Sequence, residues 1–162
     1  MSGALKKGIE ATFRDARVET PGDGRVTVFV PAESVPAVVH YLKERGFDHL
    51  TMVSCVDRPD DGELEVVYIL SSYTNDPRLH VIVKARVPRE GGGLGTVIGV
   101  FPNAEPYERE IHELFGANFE GHGRLIPLFL EREYAIPPFR KDFDSRKYVE
   151  ETFDSIPAVQ DE

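Results

Sequence analysis

The stretch Leu79-His80-Val81-Ile82-Val83-Lys84-Ala85-Arg86-Val87 decides the fold class. Leu79, Val81, Val83, Ala85 and Val87 alternate with His80, Ile82, Lys84 and Arg86, a period of two that predicts a strand with one face buried and the other largely wet. Two more β-type segments precede it, His49–Val56 and Leu64–Ser72. Asp60-Asp61-Gly62 separates these two, and Asn75-Asp76-Pro77 separates the second from the third, both being turn chemistry. Connections this short cannot make parallel crossovers, which need about a dozen or more residues, so an antiparallel meander is expected. With helices packed on its apolar face the class is α+β.

Upstream, Leu5, Ile9 and Phe13 recur at helical spacing and predict a short helix ending near Asp15. Pro21-Gly22-Asp23-Gly24 reads as the turn of a first hairpin, whose second strand carries Val26, Val28 and Val30. Ser34 is the expected N-cap of the next helix, with Pro36 in its first turn, Val35, Val38, Val39 and Leu42 on one face, and Gly46 as a left-handed stop.

Downstream, the glycines Gly91, Gly92, Gly93 and Gly95 predict a flexible connection from strand to helix. Thr96–Phe101 suggests a short helical turn, and Tyr107–Phe115 a clear helix stopped by Gly116. Tyr107, Ile111, Leu114 and Phe115 make its apolar face, so Glu108, Arg109 and His112 are expected to face elsewhere. From Gly121 onward there is no periodicity. The domain division is therefore an α+β unit over 1–120 and an extended C-terminal arm with an acidic tail over 121–162.

Composition narrows function. The 162 residues are 41% hydrophobic and 29% charged, the balance of one globular domain. No run approaches the roughly 20 apolar residues of a spanning helix, and the first residues lack a signal-peptide core, so a cytoplasmic location is expected. A net charge of −9 argues against nucleic acid, whose binding depends on Lys and Arg. Residues 142–162 hold seven acidic and two basic side chains, so more than half of that charge belongs to a tail. The single cysteine, Cys55, excludes an internal disulfide and, in practice, an iron–sulfur cluster held by this chain alone. It is expected to be a small buried hydrophobe.

Candidate chemistry is sparse. The glycines do not fit G-x-G-x-x-G and no P-loop follows them. Glu108 and His112 share a helix face and, with His122, could supply three ligands to zinc, but H-E-x-x-H is absent. No G-x-S-x-G elbow is present, and no His lies near Cys55 in sequence.

Tyr107-Glu108-Arg109-Glu110-Ile111-His112-Glu113-Leu114-Phe115-Gly116, continuing through Phe119-Glu120-Gly121-His122, resembles the signature of the complex I 30-kDa (C) subunit family. Arg140-Lys141-Asp142-Phe143 matches its closing motif, and Val56-Asp57, Glu65–Ser71 and Leu79–Pro88 are also similar, so the resemblance covers residues 30–145. It implies a non-catalytic peripheral-arm subunit without a cofactor. Such a subunit docks on a large quinone-site subunit related to the catalytic subunit of NiFe hydrogenases, beside an iron–sulfur subunit, at the cytoplasmic side of the membrane. Glu108, Arg109, Glu110, His112, His122, Arg140, Lys141 and Asp142 are the expected partner-interface residues, with Arg109 suited to a bidentate carboxylate pair. Leu125–Tyr148 is expected to be a coil that orders on the partner.

The chain departs from the NADH-linked pattern at Gly123, where Pro is usual, and over Glu131–Phe139, where a Trp-Glu-Gly-His-Pro-like stretch is expected. That divergence resembles the branch serving membrane-bound hydrogenases. An NADH:quinone oxidoreductase subunit is the first reading and an energy-converting hydrogenase subunit the second. A metalloenzyme using Glu108, His112 and His122, and a free-standing binding module, complete the set.

Overall fold

The computed structural model describes residues 2–22, 24–73, 78–131 and 134–152; the Asn75–Pro77 turn and the end of the acidic tail lie outside these. Its elements are α1 (Ser2–Thr12), β1 (Arg17–Gly22), β2 (Arg25–Phe29), α2 (Val35–Glu44), β3 (His49–Arg58), β4 (Glu63–Ser71), β5 (His80–Pro88), β6 (Gly93–Gly95), α3 (Ala104–Phe115), β7 (Asn118–Glu120) and α4 (Ser145–Thr152). The fold is α+β, with a five-stranded sheet in the order β1-β2-β5-β4-β3.

The meander and the first hairpin form, with β3/β4, β4/β5 and β1/β2 all antiparallel; Pro21 and Gly22, expected in the first turn, belong to β1, where Gly22 lies opposite Arg25. One pair corrects the purely antiparallel expectation: β2 lies parallel to β5, with Val26 opposite Val81 and Val28 opposite Val83. The short-connection argument does not reach this pair, because α2, β3 and β4 all intervene.

The period of two in β5 sorts its side chains as expected. Leu79, Val81, Val83, Ala85 and Val87 are buried with Val26, Val28, Leu64, Val66, Tyr68 and Leu70, and Ile9, Val38, Val39, Leu42 and Ile111 of the helices join the same core. The opposite face is less wet than predicted, since Glu65 is only 2% exposed and is paired with Arg58 and Lys84.

Helix ends show which local signals acted. α2 ends in a Schellman arrangement, with Gly46 at φ 85°, the Gly46 amide donating to Lys43 and the Phe47 amide to Leu42. Ser34 does not cap it. A 3-10 turn over Ala32–Ser34 precedes the helix, so Ser34 has helical φ/ψ, its side chain makes no capping bond, and the Val35 amide bonds to Ala32. α3 starts earlier than predicted, at Ala104, and stops at Gly116 with φ 82°.

The second half of the glycine-rich segment, expected as a flexible connection, is a strand over Gly93–Gly95. Leu94 of β6 pairs in parallel with Phe119 of β7, with α3 as the crossover. A Cβ on Gly92 would lie 2.0 Å from the Pro88 carbonyl oxygen, and one on Gly93 would lie 2.8 Å from that of Asn118. These glycines permit close backbone approach. Gly92→Ala should therefore lower unfolding free energy by roughly 2 kcal/mol or more in urea titrations. Gly3→Ala on α1, where the added methyl meets open space, should be neutral or stabilising. Equal losses would refute the close-approach account.

Candidate interface built on α3 and the arm

The α3 motif divides its polar residues between the interior and the arm. Glu108 is fully buried, which corrects the expectation that it faces outward. It falls in core phase with Ala104 and Ile111, four residues after one and three before the other. One of its oxygens accepts from Thr96 Oγ1 and the other from the Val97 amide at 2.8 Å, so Glu108 organises the β6–α3 connection. Burial pushes its carboxyl above the usual range, opposed by these two donors.

Arg109, expected to pair with a partner's carboxylate, is engaged within this chain. It donates to the carbonyls of Ile126 (3.0 Å) and Pro127 (2.8 Å) and lies 3.4 Å from Glu105. Glu113, one turn on, accepts the amides of Leu128, Phe129 and Leu130. Two ionic side chains thus satisfy the backbone of residues 126–130, which would otherwise need water or a partner. Past these contacts the described residues of the arm form turns and bends up to α4, a short helix over Ser145–Thr152. Tyr134, Phe143 and Tyr148 form an aromatic cluster with centroids 4.8–5.8 Å apart.

The closing motif latches the arm to the sheet. Arg89 reaches Asp57 through Nε (2.8 Å) and Nη2 (3.0 Å), and its Nη1 reaches Asp142 at 2.9 Å. The Lys141 amide donates to Asp57 Oδ2 at 2.7 Å. Arg140, only 7% exposed, inserts in the reverse direction, with Nε donating to the Phe115 carbonyl, Nη2 to the Arg89 carbonyl and Nη1 to Glu90. The Arg89 guanidinium holds both Asp57 and Asp142 below the ordinary carboxylate range.

The remaining candidates are local. His112 Nδ1 meets the Ala117 carbonyl at 2.9 Å, and Glu110 is half-buried. His122 Nδ1 accepts from the Arg124 amide. With both Glu108 oxygens engaged, the zinc set does not assemble, and among the described residues no group of three or more His, Cys, Asp or Glu is placed to hold a metal. Cys55 is buried, and burial, reinforced by Asp57, pushes its thiol up to about 12, far from a nucleophile's range. Among the described residues no helix is long and apolar enough to cross a membrane.

Sequence reasoning missed the Asp57–Arg89 pair and the Glu113 clamp. A signal for the first existed: Val53, Cys55 and Asp57 share the inward phase of β3, which places a carboxylate where the pattern calls for a hydrophobe. No sequence signal marked the second, because its partners are backbone amides.

Several large apolar side chains of the arm are exposed: Phe129 is 67% and Phe139 59% exposed, and Ile126 and Ile136 are exposed as well.

Two outcomes test this geometry. Because the Asp57 pKa is depressed in the folded state, its contribution is present above the unfolded value of about 3.9 and is lost as pH falls through the folded value. Asp57→Asn should therefore melt lower than wild type at pH 7 and show a shallower loss of melting temperature between about pH 4 and 2; an unchanged slope would remove Asp57 from the latch. Glu113→Ala should speed hydrogen exchange of the Leu128 and Leu130 amides about tenfold or more while the β4 amides keep their protection. Unchanged exchange at those amides would show that the carboxylate does not hold them.

The comparisons with known proteins agree with this architecture. The family described as "Respiratory-chain NADH dehydrogenase, 30 Kd subunit" matches residues 28–149. The chain is 39% identical over 132 residues to the C subunit of the F(420)H(2) dehydrogenase of Methanosarcina mazei, covering 80% of this chain and 81% of that one. It is 37% identical over 124 residues to the C/D subunit of the NADH-quinone oxidoreductase of Bdellovibrio bacteriovorus, covering 75% of this chain but only 22% of that longer protein. Among solved structures, a chain of the membrane-bound sulfane sulfur reductase, an archaeal respiratory membrane complex, superposes with a TM-score of 0.84 at 29% identity, over 99% of this chain and 95% of that one. The matched span contains both the α3 motif and the Arg140–Asp142 latch, and on that ground the chain belongs to the respiratory-chain NADH dehydrogenase 30 Kd subunit family.

Proposed function

We propose that this chain is a non-catalytic, cofactor-free docking subunit of a membrane-associated, complex-I-like oxidoreductase, and that it serves the branch related to energy-converting hydrogenases in preference to the NADH-linked branch. One observation carries the choice of branch: the fold likeness to a chain of the sulfane sulfur reductase complex extends over 99% of this chain, the divergent arm included. The M. mazei relative belongs by name to an F(420)H(2) dehydrogenase and not to an NADH dehydrogenase, which agrees with a donor other than NADH. The departures at Gly123 and Glu131–Phe139 agree with it.

The partner in this reading is the large, hydrogenase-like subunit, with an iron–sulfur subunit beside it. The name of the B. bacteriovorus relative joins C to D in one protein, which supports close association of the two. The contact surface is the arm and the C-terminal half of α3. One cysteine with a strongly protonated thiol gives this chain little to offer electrons, so its contribution is position.

Affinity capture of the tagged full chain from detergent-solubilised native membranes tests the reading. A large subunit with paired Cys-x-x-Cys motifs should be recovered with it, without NADH- and flavin-binding subunits. Recovery of the NADH-oxidising subunits would overturn the branch, and failure to recover any hydrogenase-like large subunit would overturn the docking role.

A further inference from the structure

α1, α2 and α3 join one phase of the strands in a single core, and the other phase takes no part in it. On that second face the register sets Met52, Ile69 and Ile82 side by side across β3, β4 and β5, with Val67 and Val56 in the two rows beyond. Met52 and Val56 are 38% and 40% exposed, and Val67, Ile69 and Ile82 are half-buried. None of the five belongs to the core or packs against it. A sheet with one face in water alternates apolar with polar residues, as β5 largely does. β4 does not: Val66-Val67-Tyr68-Ile69-Leu70 is an unbroken apolar run, the pattern of a strand covered on both faces. The described residues cover only one of them.

Charge indicates what covers the other. At the margin of the patch Glu65, only 2% exposed, is shared by Arg58, Lys84 and Arg86. Arg86 also reaches Asp61 and Glu63, whereas Arg58 and Lys84 each make one hydrogen bond, at 3.2 and 3.1 Å to the same Glu65 oxygen. Most of the N–H donors of these two cations are thus left for other acceptors. The remaining carboxylates of the face, Glu63 and Glu19, are paired with Arg86 and Arg17, so a second copy of this chain laid on it brings no free counter-charge. An anionic bilayer is disfavoured by the net charge of −9. We infer that this sheet face is a second docking surface, taken by a neighbouring subunit whose contact has an apolar centre and Asp or Glu side chains opposite Arg58 and Lys84. The inference rests on the docking role proposed above and goes beyond its contact through the arm and α3. The chain then has one contact on the helix side of its sheet and another on the opposite side, as a bridging subunit requires.

Photocross-linking of the tagged full chain in native membranes gives the test, with Met52→benzoylphenylalanine on the sheet face and Phe129→benzoylphenylalanine on the arm. The Met52 probe should link to a peptide of another subunit that carries several Asp or Glu residues. Met52→Lys, which sets a charge in the apolar row at an exposed position, should cut recovery of that subunit about tenfold and leave the melting temperature of the purified chain nearly unchanged. Lys84→Gln can still donate to Glu65 but loses the charge, so it should weaken recovery at low salt and make little difference at about 0.5 M salt. The cross-link is read without either variant, so a folding defect in one of them does not decide the outcome. Links from Met52 only to lipid, to a second copy or to a surface without acidic residues would overturn the inference while the docking role stands. So would undiminished recovery with Met52→Lys, or no link from Met52 where Phe129 does link. Failure of both probes to link any other subunit would instead remove the docking role itself.

Discussion

The Arg89 guanidinium, held between Asp57 of β3 and Asp142 of the arm, is the contact on which the arrangement of this protein depends. Asp57 is 3% exposed, and a carboxylate at such depth costs several kcal/mol unless its lone pairs are met. Arg89 meets both of its oxygens, and the Lys141 amide adds a third bond. The arm's path is therefore tied to the satisfaction of a buried charge. Arg140, running from the arm into the domain, needs the carbonyls of Arg89 and Phe115 for the same reason. Each side of the contact supplies what the other would otherwise lack.

The same constraint explains how α3 serves two structures at once. Toward the interior, Glu108 binds the segment that connects β6 to the helix, at the desolvation cost shown by its raised pKa. Toward the arm, Arg109 and Glu113 engage two carbonyls and three amides of residues 126–130. Charged residues in a family motif invite the idea that they reach across an interface, but these are mostly engaged within the chain. In the docking role proposed above, their effect on a partner would be indirect, through the path they impose on residues 126–130.

Elements with a strong period are legible. The alternation in β5 and the Val35–Leu42 stripe of α2 point to the right element and face, and the Tyr107–Phe115 stripe of α3 to the right element, because burial of one face dominates the energetics of a strand or helix. The errors lie where nonlocal contact outweighs local preference. Ser34 is a good cap residue, yet a preceding 3-10 turn removes the need for one. The glycines at 91–95 have every mark of a flexible loop, yet the missing side chain of Gly93 makes room for pairing with Asn118 and that of Gly92 for close approach to Pro88. The charge of Glu108 suggests the surface, while its position relative to Ala104 and Ile111 places it inside.

The sequence by itself determined the α+β class, the antiparallel meander, the exclusion of a cluster held by one cysteine, and the α3 motif that carries the family resemblance, because all of these follow from local periodicity, counts and spacing. Only the tertiary structure decided that β2 lies parallel to β5, that Glu108 is interior, and that Asp57, Arg89, Arg140 and Asp142 close one latch. Those residues are up to 85 positions apart in sequence, Asp57 to Asp142, and the free energy that joins them comes from satisfying charges removed from water. That requirement exists only once the chain has folded around them.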